Sequence, residues 1–238
     1  GNAYTAWNVS KVTNMYSMFA GAKAFNQPIG SWNTSDVTLM GNMFESATVF
    51  NQNINTKTVT VNGNNYIAWR VHIVVNMENM FFNATAFNQD INGWDTQSVL
   101  NMSKMFRNAE AFDQDINTNV FTVLGNTFIA EWNVSNVVNM EGMFYGAQAF
   151  NHDIGGWDVS KVEDMQSMFY GAQAFNQDIG LWNTSIVENM QAMFFNATAF
   201  NGDIGGWDVS EVKTMVQMFR NAQVFNQDIG SWDVSKVE

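Results

Sequence analysis

The chain of 238 residues contains no cysteine, one proline, two histidines and few charges, 13% of all residues. Without cysteine there are no disulfide staples and no thiolate metal sites, while the compartment stays open because many exported bacterial proteins avoid thiols. Basic side chains are scarce as well. Ten Lys and Arg against 22 Asp and Glu give a formal charge of −12, which repels phosphate backbones and anionic lipid surfaces, so no nucleic-acid partner is expected. No run approaches the roughly 20 apolar residues of a membrane span, and no membrane insertion by this segment is expected. Low charge beside 46% hydrophobic residues excludes a disordered chain.

What the chain has in abundance is period. Its nine tryptophans, Trp7, Trp32, Trp69, Trp94, Trp132, Trp157, Trp182, Trp207 and Trp232, stand at intervals of 25, 37, 25, 38, 25, 25, 25 and 25. Phenylalanine follows in two columns, one from Phe25 to Phe225 and one from Phe19 to Phe219, and all 16 methionines fall in two more. A unit of 25 residues repeated about nine times is the plan of the chain. In the copy around Trp157, Trp157 and Val159 alternate with polar neighbours, the period of a short strand. Val162, Met165, Met168, Phe169 and Ala172 then recur at three- and four-residue intervals, the face of a helix with Ser160 as N-cap and Gly171 in the C-cap column. The expected fold class is therefore α/β, about nine strand-helix coils. One unit cannot bury its large side chains alone, and each contributes roughly 1.5–3 kcal/mol only when sandwiched between neighbours.

Two related insertions, at about 55–68 and 117–131, account for the long intervals. Alternating β-branched residues around Asn62-Gly63 and Leu124-Gly125-Asn126 predict β-hairpins. One hairpin every two coils leads to the expectation that the hairpins pair into a second sheet. Residues 1–7 match the second half of the insert, and the last residues stop part-way through a coil. The chain is accordingly expected to be a single solenoid, 1–238, cut from a longer protein.

The unit repeated at Phe175 to Phe194 and from Phe225 to Glu238, with its Asn-Gln-Asp-Ile-Gly run before tryptophan and its paired methionines before phenylalanine, closely resembles the repeat of BspA-like leucine-rich-repeat surface proteins, a type also abundant in mycoplasma lipoproteins. The resemblance covers the whole chain at some ten positions per copy. It implies a right-handed leucine-rich-repeat-like solenoid on secreted or cell-surface microbial proteins, used for adhesion or other protein contacts. Here tryptophan, phenylalanine and methionine occupy positions that leucine holds in ordinary leucine-rich repeats.

Candidate sites are read column by column. Asp90, Asp115, Asp153, Asp178, Asp203 and Asp228 form an acidic column, for which calcium between coils is one reading and turn capping with screened, splayed carboxylates the other. The third strand departs from the pattern with Arg70 and His72. Phe82, Tyr145, Tyr170 and Phe195, beside Arg107 and Arg220, share a column expected to be partly exposed, the composition that interfaces favour. No catalytic motif is present, and the many equivalent carboxylate pairs lack the single asymmetric environment that acid and base roles need. The expected role is a non-catalytic extracellular module that binds a protein or glycan. The rivals are a shaft or filament of copies stacked end to end, and a calcium-stabilised scaffold.

Overall fold

The computed structural model describes residues 7–61, 63–117, 119–123, 126–130 and 132–238. The stretch 1–6 and the hairpin-turn residues Asn62, Leu124 and Gly125 lie outside them. Coils are numbered 1 to 9 here, each beginning at its tryptophan. Coils 1 to 8 stack through parallel bridges that run from Asn14 with Leu39 to Asn189 with Thr214.

Among the described residues there is no helix, and the only strands are those of the two hairpins. The segment whose spacing predicts a helix is a run of turns. In coil 1 the N–H groups of Met15, Ser17, Phe19 and Gly21 donate to the carbonyls of Leu39, Gly41, Met43 and Glu45 in coil 2, at 2.7–2.9 Å. Between them, the N–H groups of Met18, Ala20 and Ala22 close turns on the carbonyls of Met15, Ser17 and Phe19. In each of coils 1 to 8 two residues of this run, four apart, have positive φ, as at Ser167 (54°) and Gly171 (65°). This is the third position of a type II turn. A helix would need negative φ throughout and i→i−4 bonds, whereas this backbone spends alternate N–H groups on the next coil. The glycine and asparagine column at Gly171 therefore serves turns and not a helix end.

The predicted strand at Trp157 to Val159 is likewise a pair of turns. Trp157 N–H bonds the Ile154 carbonyl and Val162 N–H the Val159 carbonyl, while Ser160 N–H donates to Asp158 Oδ1 at 3.1 Å, closing an Asx turn where a helix N-cap was expected. The α/β assignment and the leucine-rich-repeat-like strand-helix coil are both overturned.

Inward-facing side chains form continuous columns, which satisfies the burial requirement by stacking. Within a coil the two phenylalanine rings lie 4.0 Å apart, as for Phe44 and Phe50, and from coil to coil Phe44 stacks on Phe81 at 5.6 Å. Trp32, Trp69, Trp94 and Trp132 stack at 6.3–6.4 Å. Each indole needs a partner for its N–H once buried. Trp69, Trp94 and Trp132 donate Nε1–H to the carbonyls of Ile29, Ile54 and Ile91, near the ends of the coils two back, at 2.9–3.0 Å. Trp182 and Trp207 do the same with Ile154 and Ile179, while the buried Trp157 Nε1 has no partner among the described residues. The alanines after the turns, Ala47 to Ala197, are fully buried where coils come closest.

Strand β1 (Lys57–Val61) pairs antiparallel with β2 (Asn64–Ala68), and β3 (Asn119–Val123) with β4 (Asn126–Ala130). The hairpins form two separate two-stranded sheets, so among the described residues the expected second sheet shared between hairpins is absent. Hairpin β1-β2 instead turns its apolar side onto the coils: Val59 and Tyr66 pack against the core, and the Tyr66 hydroxyl donates to the Ser31 carbonyl. The stack continues past the insertion: Trp69 N–H donates to the Trp32 carbonyl at 3.0 Å, in place of the bond to the isoleucine three residues earlier that Trp32 and Trp94 make.

Candidate functional site

Phe82, Arg107, Tyr145, Tyr170, Phe195 and Arg220 come from six consecutive coils, at the residue that closes the second turn of each run, as Tyr170 N–H does on the Ser167 carbonyl. Their carbonyls accept bonds from the preceding coil, Gly146 N–H to Tyr170 and Gly171 N–H to Phe195. The backbone thus fixes the register of the side chains. The result is one column of planar groups. The Arg107 guanidinium lies 4.0 Å from the Tyr145 ring and 5.6 Å from Phe82. Tyr145 stacks on Tyr170 at 4.3 Å and Tyr170 on Phe195 at 4.4 Å, both within 3° of parallel, and Arg220 covers Phe195 at 5.4 Å. Five of the six are partly exposed and Arg220 is exposed. Desolvation, and then the neighbouring Tyr145, push the Tyr170 phenol above its ordinary pKa. Because neighbours occupy the ring faces, the column offers its edges, two phenol oxygens and two cations to a partner.

Arg70 and His72 occupy the turn after Trp69, and no hydrogen bond or ring contact joins them to this column among the described residues. Their backbone is tied to adjacent coils, Thr34 Oγ1 donating to the Arg70 carbonyl and Ser98 Oγ to that of His72. Burial, and then the Arg70 charge, lower the His72 pKa against an opposing pull from Asp95. Its buried Nδ1 has no partner among the described residues.

The acidic column is a series of Asx turns. Asp90, Asp115, Asp153, Asp178, Asp203 and Asp228 each accept through Oδ1 the N–H two residues on, at 2.8–3.0 Å. Among the described residues no group of three or more His, Cys, Asp and Glu side chains could hold a metal ion. The same use of Asx side chains sets the column after tryptophan, where the Ser160 hydrogen bonds, side chain before backbone, hold Asp158 below the usual carboxylate range. The asparagine column is also a ladder: Asn26 Oδ1 accepts Asn51 N–H at 3.0 Å and Gln52 Nε2 at 2.9 Å, one coil on.

Two features escape a motif search. Asp113 and His152 face each other across adjacent coils. Ile73, Val75, Leu100 and Val138 are 36–50% exposed on coils 3 to 5. Both are visible once each residue is compared with its own column, since the neighbours there are asparagine and glutamine in the first case and mostly charged or threonine in the second.

No helix among the described residues is long and apolar enough to cross a membrane. Neither the curated proteins nor the solved structures include a match to the chain. The model of the family described as Mycoplasma protein of unknown function, DUF285, matches four overlapping segments in tandem, residues 2–66, 57–125, 118–188 and 177–238. Since these segments span nearly the whole chain and carry its repeat from end to end, the chain belongs to the DUF285 family.

Proposed function

We propose that this chain is a non-catalytic repeat module on a secreted or cell-surface microbial protein, and that it binds another protein through the planar column from Phe82 to Arg220. The observation that carries this reading is the column itself, four aromatic rings and two guanidinium groups stacked over six coils with their edges in water. Aromatic and arginine side chains are the groups that interfaces enrich. A protein is favoured over a glycan because sugar rings stack on open aromatic faces, and here neighbouring rings fill those faces. Surface location rests on the resemblance to BspA-like surface proteins, without their leucine-rich-repeat coil.

Binding of the immobilised chain to arrays of extracellular proteins and of glycans tests this reading, with the variant Tyr145→Ser, Tyr170→Ser, Phe195→Ser beside the parent. The expected result is binding to proteins that the triple variant loses at unchanged core packing, read from near-ultraviolet circular dichroism. Binding confined to glycans, or protein binding that the variant retains, would overturn it.

A further inference from the structure

The two arginines of the planar column have no anion. Lys11, Lys104, Lys213 and Lys236 each hold a carboxylate of a neighbouring coil, at 2.6–3.6 Å. Among the described residues the guanidiniums of Arg107 and Arg220 hold neither a carboxylate nor any other acceptor, and the buried Arg107 Nε is left without one. They rest on rings instead. A guanidinium carries five N–H donors, so ring contact leaves this capacity unspent.

The rest of the column has the same sign. An aromatic ring is positive at its edge, and edges are what the four rings between and beside the arginines turn to water. In coils 5 to 8 the positions three residues to either side of the column carry no charge, as with Ser167 and Gln173 beside Tyr170. Beside Arg107 those positions hold one charge of each sign, Lys104 and Glu110. Glu141, next in sequence to that run in coil 5, is already held by Lys104 at 3.0 Å, and Glu45, one coil before the column, is separated from Arg107 by Phe82. A chain of net charge −12 thus exposes one stripe of donors. We infer that the partner of this column is an acidic, extended peptide segment of another protein, whose carboxylates pair with Arg107 and Arg220.

This inference rests on the aromatic-column reading and adds the chemistry of its partner. Arg107 and Arg220 are four coils apart, and coils repeat at about the 4.8 Å of paired strands, so the guanidiniums stand roughly 19 Å apart. A compact anion reaches one of them only. An extended chain covers that distance in about six residues, with alternate side chains on one face, so carboxylates at positions i and i+6 reach both. The backbone of the column is spent on neighbouring coils, Gly146 N–H on the Tyr170 carbonyl and Gly171 N–H on that of Phe195, so the segment meets side chains and adds no strand. Gln173 and Gln223, whose side chains have no hydrogen-bond partner among the described residues, flank the column with amides. They suit an extended segment, because its backbone groups are unpaired where a helix would have used its own.

Fluorescence anisotropy of the whole chain with labelled serine-threonine peptides tests the inference, the probes carrying two glutamates six residues apart, two glutamates two apart, or two glutamines six apart. The expected result is that the first peptide binds roughly tenfold more tightly than the diglutamine one, two exposed ion pairs at a few-fold each, and that salt erodes the difference. Arg107→Gln and Arg220→Gln each remove about threefold of it and together all of it, while Lys213→Gln, away from the column, removes none. No binding of the first peptide at millimolar concentration, equal binding of the diglutamine or the closely spaced peptide, or a preference that both arginine variants retain would each overturn it. Array proteins that the Tyr145→Ser, Tyr170→Ser, Phe195→Ser variant loses but the Arg107→Gln, Arg220→Gln variant keeps would also overturn it and leave the column reading standing, whereas array proteins that both variants keep would remove the two together.

Discussion

The carboxylate of Asp113 lies 3.3 Å from Nε2 of His152, one coil on. At five other steps of this ladder the acceptor is an amide and the reaching group a glutamine, as where Gln114 Nε2 meets Asn88 Oδ1 at 2.7 Å, and at one step Gly202 stands in the glutamine's place. Two departures from the repeat therefore coincide and answer each other. The rest of the step is intact, for Asn151 N–H still donates to Asp113 Oδ1 at 3.1 Å.

Asp113→Asn with His152→Gln rebuilds the ladder in the form its neighbours use. The double variant is expected to match the parent in urea unfolding, with a coupling energy between the single changes of about 0.5 kcal/mol, the size of a partly exposed ion pair. Strictly additive single changes would show that the pair is incidental.

Asp164 stands where the adjoining coils have Asn139 and Asn189, and its carboxyl is raised above the ordinary value by burial first, with Glu141 adding to the shift. The folded state then holds the proton more tightly than the unfolded chain, so stability is lost as pH climbs through the folded-state value and returns in acid. Asp164→Asn is expected to gain about 0.5–2 kcal/mol at pH 7, with the gain fading below the ordinary carboxylate pKa of about 3.9. Melting curves at pH 7 and pH 3 read both parts.

Gly146 has φ 65°, and a Cβ built on it would collide with Asn108 Oδ1. Gly146→Ala is expected to cost more than about 1 kcal/mol, strain and contact combined. The exposed Gln217 holds φ 60° without that crowding, and Gln217→Gly is expected to gain about 0.5–1 kcal/mol. Opposite signs in denaturant midpoints of the two variants distinguish turn strain from a general glycine effect.

Phe106 is fully buried between Phe81 and Phe144, at 5.7 Å from each ring, and 4.0 Å from Phe112 in its own coil. Phe106→Ala is expected to cost about 3–5 kcal/mol, measured by urea unfolding. A loss below 1 kcal/mol would mean that the columns are not the source of order.

The period and the inward columns were legible in the sequence because tryptophan, phenylalanine and methionine are costly to expose, and 25 residues separate like from like. Coil conformation was not. Met165, Met168, Phe169 and Ala172 recur at three and four residues, and a run of three-residue turns returns side chains to the interior at those same spacings. The contrary signal lay in two columns four residues apart: Gly142 and Gly146 together would each cost a helix about 1 kcal/mol, and both have positive φ. The aromatic column was identifiable as a column, since Phe82, Tyr145, Tyr170 and Phe195 share one position, but not its stacking, which depends on hydrogen bonds between coils. Arg70 and His72 share a short segment in sequence and stay apart from that column in space.

Hairpin β1-β2 leaves the stack just after Asn55 and rejoins it at Trp69, where Thr56 Oγ1 clasps the Trp69 carbonyl at 2.8 Å. Trp69 keeps the indole bond that other tryptophans make, while its N–H turns to the Trp32 carbonyl and its φ is 50°, so that corner admits extra residues without interrupting the columns. Trp182 and Trp207 instead close their N–H on Ile179 and Ile204, three residues earlier, so a hairpin entering at either corner would exchange that bond for one to the neighbouring tryptophan, as Trp69 does.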